Sequence, residues 1–129
     1  MKNTTIIIAL IAVLIFPCLV YGQDIRDVVP KGKSVYVLAD DRLTQSDAES
    51  ALKSNGCWRI VADSTQADFF VEFITIRERM DRYKGYIRVL DPKTNKVLFK
   101  SETIDTIGRW TYHARRGIVR KMVNKIVGR

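Results

Sequence analysis

The sequence holds one histidine, His113, two cysteines and three prolines in 129 residues. A Ser-His-Asp or Cys-His set must use that one imidazole, and nothing near it in sequence forms a nucleophile turn. One histidine and one cysteine make a zinc site only if carboxylates complete it, and no ligand spacing is present. Gly32, Gly56, Gly85, Gly108, Gly117 and Gly128 stand apart from one another, which excludes a glycine-rich phosphate loop. No repeat or low-complexity tract follows the amino terminus. Asp40-Asp41 is a carboxylate pair at a strand end, where Mg²⁺ or Ca²⁺ sites occur; solvated loop charge is the simpler reading. No cofactor is expected. The enzyme alternative narrows to a small extracytoplasmic enzyme working through His113 or Cys57.

Long apolar runs are also missing. The longest, Ile6 to Phe16, has eleven residues, short of the about 20 that a membrane-spanning helix needs. Lys2 precedes it, Pro17 breaks it, and Val20-Tyr21-Gly22 supplies permissive residues for cleavage between Gly22 and Gln23. That pattern reads as a signal peptide. Two alternatives remain: a retained anchor formed by residues 6–21, and acylation of Cys18, which Ile15 suits but Phe16-Pro17 do not. Removing residues 1–22 from 129 leaves 107, one domain's worth of chain. Cys57 would then be the only cysteine, and one thiol closes no intrachain disulfide. It reads as a buried small hydrophobe, with an intermolecular disulfide or a nucleophile as sharper alternatives. The expected organisation is a signal peptide over 1–22, a linker over 23–33 and a single domain over 34–129.

Acidic residues are scarce in the second half. Residues 23–76 carry 6 basic and 9 acidic groups, net −3, whereas residues 77–129 carry 15 and 5, net +10. Such a field favours anionic partners: lipid head groups, lipopolysaccharide, acidic polymers or an acidic protein face. Outside the cytoplasm, nucleic acid is the least favoured of these.

The pattern of residues predicts a strand over 34–39 and a short helix opened by a Ser46–Glu49 capping box and stopped at Asn55-Gly56. A second strand follows over 58–62. Residues 68–77 give the strongest strand signal, with Phe69, Val71 and Phe73 on one side and Phe70, Ile74 and Ile76 on the other beside Glu72. Two apolar faces imply a strand covered on both sides, or a dimer surface. A charged connection over 78–85, a strand over 86–90, a turn over 91–96 and a strand over 97–103 complete a meander. Residues 104–110 are placed as an extension of that last strand. Ala114, Ile118, Met122 and Ile126, with Val119, Val123 and Val127, form the stripe of a closing helix over 112–127 that packs on a sheet. Gly117 in its middle would let the helix approach closely. The order is β-α-β-β-β-β-α. It predicts an α+β two-layer sandwich, a mixed sheet with both helices on one face.

Two basic clusters are the candidate anion-binding groups. Arg77, Arg79, Arg82 and Lys84 sit at a hairpin tip with Tyr83 and Tyr86, where guanidinium forks suit phosphate or carboxylate. Glu78 and Asp81 dilute that field. Arg115, Arg116, Arg120 and Lys121 lie on the polar side of the closing helix.

The Ala67-Asp68-Phe69-Phe70-Val71 entry into a long strand, the Tyr86–Asp91 strand returning through Asn95-Lys96-Val97-Leu98-Phe99, the closing helix and the export signal together carry a resemblance. The chain resembles small bacterial envelope domains: the amino-terminal domain of the TolB translocation protein, the domain of the curli-secretion lipoprotein, and lipoproteins that activate penicillin-binding proteins. The resemblance spans most of residues 34–128. It implies a non-catalytic adaptor or structural part of the periplasm or cell envelope, with an envelope protein or an anionic surface as partner and with homodimers as an option. A membrane-anchored accessory subunit is the alternative. Amino-terminal sequencing of the exported protein is expected to begin at Gln23; a start at Met1 would mean that residues 6–21 are retained as an anchor.

Overall fold

The computed structural model describes residues 24–79, 82–107 and 111–128. The signal peptide, its Gly22–Gln23 cleavage point, Cys18 and the anchor reading of residues 6–21 lie outside the described residues.

Six strands form one mixed, open sheet. They are β1 (Ser34–Ala39), β2 (Arg59–Ile60), β3 (Phe69–Arg79), β4 (Arg82–Leu90), β5 (Val97–Lys100) and β6 (Ile104–Ile107). The strand order is β2-β1-β3-β4-β5, with β6 also paired to β4. β1 lies parallel to both β2 and β3, and β3-β4, β4-β5 and β4-β6 are antiparallel. The helices are α1 (Ile25–Val28), α2 (Arg42–Asn55) and α3 (Thr111–Met122), the last continuing as a π turn over Val123–Val127. α2 and α3 share one face of the sheet. There Val35, Val37, Val71, Phe73, Ile87 and Val89 pack against Ala48 and Leu52 of α2 and against Ile118, Val119 and Met122 of α3. The expected α+β two-layer sandwich is therefore the observed architecture.

Local differences from the sequence reading have physical causes. The stretch expected as a linker enters the core: Ile25 is 1% exposed and Val29 fully buried. Asp24 and Asp27 close a capping box around α1. Arg26 donates from Nε to the Val127 carbonyl at 2.9 Å, and the Trp58 indole N–H donates to the Val29 carbonyl at 2.9 Å. Helix α2 starts one turn before the expected Ser46 cap. Asp41 directly after β1 accepts from the Thr44 N–H at 2.7 Å and the Thr44 hydroxyl at 2.9 Å, and Asp caps as well as Ser. The expected stop holds, with Gly56 at φ +76° and its N–H bonded to the Leu52 carbonyl.

The charged connection expected over 78–85 is mostly strand. β3 runs to Arg79 and β4 begins at Arg82, so cross-strand pairing continues through Ile76 with Lys84 and Arg77 with Tyr83. Alternating charges support such a ribbon when opposite signs meet across it; the Lys84 ammonium lies 2.6 Å from the Glu78 carboxylate. The last expected strand breaks in two. The Ile87 N–H bonds to the Ser101 hydroxyl at 2.8 Å while the Ser101 N–H bonds to the Ile87 carbonyl at 2.8 Å. A side chain thus replaces one ladder acceptor, and the chain resumes as β6 on the same edge of β4.

Helix and sheet pack tightly at Gly85 of β4. A Cβ there would lie 2.6 Å from the Ile74 carbonyl oxygen and 2.9 Å from the Met122 sulfur. The sulfur can swing aside; the backbone oxygen of β3 cannot. Gly85→Ala is expected to destabilise the fold by about 1–3 kcal/mol, as overpacking does, read as a lower urea midpoint at unchanged slope. Trimming Met122 to Ala in the same chain should not restore the loss.

Asp68 ties the starts of β1 and β3. Its carboxylate accepts from the Ser34 hydroxyl at 2.9 Å and the Ser34 N–H at 3.2 Å. These bonds hold its pKa below the ordinary 3.8. A depressed folded-state pKa means that the contribution is complete above the unfolded value and disappears as pH falls through the folded one. An NMR titration should put the Asp68 midpoint below 3.8, and Asp68→Asn should flatten the acid limb of stability against pH.

Candidate functional site

The parity of the strands sorts the site candidates. On β3, Val71 and Phe73 face the helices. Phe70, Glu72, Ile74 and Ile76 alternate with them and face the other way. Their register partners share that open face: Tyr36 beside Phe70 across β1, then Arg88, Tyr86 and Lys84 on β4. Tyr36 and Phe70 meet edge to face with ring centroids 5.8 Å apart. The Lys100 ammonium sits 4.7 Å from the centroid of the Tyr86 ring, an arrangement in which the ring quadrupole attracts the cation. Across the middle runs an ion pair: Arg88 donates from Nε to the Glu72 Oε1 at 2.8 Å and also from Nη2 to that same oxygen. Among the described residues no helix covers this face.

The four hairpin bases do not share one face. Lys84 lies on the open side opposite Ile76, and Arg77 lies on the helix side opposite Tyr83. Arg79 and Arg82 pair with each other at the end of the ribbon, past a register shift; the Arg79 side chain is outside the described part. Lys84 is bound to Glu78, which raises its pKa above the ordinary 10.5. Arg115, Arg116 and His113 belong to α3, and their side chains are likewise outside the described part. Arg120 borders a groove of about 410 Å³ between α2 and α3, with Asp47, Asn55 and Asn124. Lys121 donates from Nζ to the Asp105 carbonyl, tying α3 to β6.

Cys57 is 7% exposed and accompanies Trp58 in the core, as a small hydrophobe does. Asp41 is committed to capping α2. Among the described residues no three His, Cys, Asp or Glu side chains are grouped to hold a metal ion. A larger groove of about 680 Å³ follows the outer edge of β5, bordered by Asp24, Lys100, Glu102 and Lys125. Val97 and Leu98 there are 45% and 37% exposed.

Strand order turns the charge asymmetry of the sequence into one in space. The first half of the chain builds β2, β1, most of β3 and α2; the second builds β4, β5, β6 and α3. The acidic half therefore lies on one flank of the sheet and the basic half on the other, and the Glu72–Arg88 pair bridges the seam. The open face was visible in the sequence as the Phe70–Ile76 alternation. The Arg88 partner of Glu72 was not, because only the register sets it opposite.

No family model and no curated protein matches the chain. Solved structures do share its fold. PelC from Paraburkholderia phytofirmans, solved as a dodecamer, is similar over 76% of this chain and 86% of its own, at 14% identity and a TM-score of 0.51. A point variant of that protein gives 75%, 86%, 15% and 0.52. TolB from Acinetobacter baumannii aligns over 75% of this chain but 28% of its own, at 9% identity and a TM-score of 0.48. At these identities the likeness concerns the fold alone, which the chain shares with PelC. Among the described residues no helix is long and apolar enough to cross a membrane.

Proposed function

We propose that the protein is an exported, non-catalytic envelope component that binds a protein partner through its basic flank, the partner presenting an acidic face. The observation that carries this reading is the separation of charge across the sheet. A field of one sign on one flank speeds and orients the encounter with an oppositely charged surface. Exposed Lys93, Lys96, Lys100, Arg120 and Lys125 extend the basic character beyond the hairpin and helix clusters. The open sheet and its grooves offer contact area, and PelC, which shares the fold, assembles into a dodecamer. Self-association belongs to the same reading and uses the open face instead of the flank. An anionic lipid or lipopolysaccharide surface is the second reading, favoured by the same lysines.

Cross-linking in native envelopes tests the reading, with the unaltered protein run beside a variant carrying Arg77→Gln, Arg79→Gln, Arg82→Gln and Lys84→Gln. The expected result is one protein captured stoichiometrically, and lost both with the variant and at high salt, since screening removes such attraction beyond about 10 Å at 0.1 M. Capture that survives the variant and salt removes the basic flank as the site. No capture by either form, with binding to anionic vesicles instead, makes a lipid surface the partner.

A further inference from the structure

We propose that a second copy of this chain stacks on the open face of the sheet, about a two-fold axis near Glu72 and Arg88, whose charges pair reciprocally across the interface. The face is apolar where it should be solvated. Tyr36, Phe70, Ile74, Ile76 and Tyr86 share it, and Ile76 is 42% exposed. β-sheets with one face on helices ordinarily carry polar residues on the other. An open face on which apolar side chains surround a central ion pair marks an interaction surface.

The ion pair says which surface fits. Arg88 spends Nε and Nη2 on a single oxygen of Glu72, so among the described residues Glu72 Oε2 accepts nothing and Arg88 Nη1 donates nothing. The pair sits between apolar neighbours on both sides along the strands. A partner surface must therefore be apolar around a centre that offers one acceptor and one donor charge, and must leave room beside β5 for Lys100, which shares the face and lies over Tyr86. A two-fold axis supplies that, since it brings Glu72 of one copy to Arg88 of the other and the reverse. A hydrocarbon surface would leave both charges unsatisfied. An anionic head group would meet Glu72 and Glu78 interleaved with Arg88, Lys84 and Lys100, an alternation of sign that a second copy of the same face matches better than a surface of one sign does.

Size is consistent. At about 3.3 Å per residue and about 4.8 Å between strands, β1, β3, β4, β5 and β6 cover about 540 Å² in projection. Side-chain relief makes the accessible area larger than the projection, on the scale of the roughly 800 Å² per partner of a standard interface. Two such faces would stack about 10 Å apart, as in a β-sandwich. The inference adds a surface and a symmetry to the self-association named above and does not depend on the basic flank.

The test is sedimentation equilibrium of the full chain across micromolar to millimolar concentration, with thermal unfolding of every variant as a folding check. The unaltered protein is expected to dimerise. Arg88→Glu and Glu72→Arg should each weaken the dimer by at least about thirtyfold, as a buried hot spot does. Mixed together, the two variants should form a one-to-one heterodimer, because each cross-interface pair is then of opposite sign. Ile76→Lys, at a position already exposed, should weaken the dimer without lowering the unfolding temperature measured at a concentration where the unaltered protein is monomeric. A monomer throughout the concentration range overturns the proposal. So does a dimer indifferent to all three substitutions, or a mixture that fails to associate while both variants remain folded.

Discussion

In β3, Val71 and Phe73 turn toward the helices, Phe70 and Ile74 turn away, and α2 and α3 lie on the first side only. A strand with apolar residues on both sides needs cover on both. The topology allows cover on one. The β1-α2-β2 crossover places α2 on the face that parallel connection dictates. The chain then runs through β3, β4, β5 and β6 before α3, which returns to that same face. The core between sheet and helices is closely filled, down to Gly85, where the Met122 side chain occupies the space that a Cβ would take. What remains is a face whose β3 side chains, Glu72 apart, are those of an interior and whose position is that of a surface.

The Glu72–Arg88 pair belongs to this constraint as well. Charged residues in the middle of an apolar face contribute little to stability by themselves, since desolvation offsets most of the attraction. On a surface awaiting a partner they act differently. They discourage indiscriminate apolar association and admit only a partner with matching charges, which is how specificity is ordinarily built into such faces. The same pair joins the acidic flank to the basic one, so the sheet is polarised across its strands and neutral at its seam. A partner drawn to the basic flank and a copy stacked on the open face would compete where the two surfaces meet, at Lys84 and Lys100.

Much of the fold could be read from the residues because local signals agreed with the tertiary outcome. The apolar stripe of α3 through Ile118, Met122 and Val123 did its ordinary work, and Asn55-Gly56 stopped α2 where a left-handed residue is cheapest. The failures have a common origin in long-range pairing. Residues 78–85 looked like a loop because their charges hide the alternation, and only the register to β3 explains them. The break at Ser101 depends on a hydroxyl meeting the Ile87 N–H, which no window of sequence contains. The basic clusters were legible as composition but not as a site. Arg77 and Lys84 fall on opposite faces because they lie seven positions apart across a turn and a register shift.

The lead-in segment shows how a short polar stretch can be structural. With Asp24, Asp27, Pro30 and Gly32, residues 24–33 have the composition of a linker, and hydrophobicity alone does not distinguish Ile25 and Val29 from incidental apolar residues. Their burial follows from the far end of the chain. The π turn buries Val123 and Val127 and directs the Val127 carbonyl to Arg26 and the Gly128 carbonyl to Asn55. Both ends thereby lock the same corner of the core. Among the described residues the packed structure thus extends to Asp24, and residues 24–33 belong to the core's cover. Six residue steps separate Cys18 from Asp24, a reach of about 20 Å at full extension. Acylation at Cys18 would therefore hold the domain within roughly its own diameter of a membrane surface, whereas cleavage after Gly22 would release it entirely. Retention of residues 6–21 as an anchor would likewise keep it at a membrane, so the processing of the amino terminus decides whether the basic flank and the open face work at a surface or in solution.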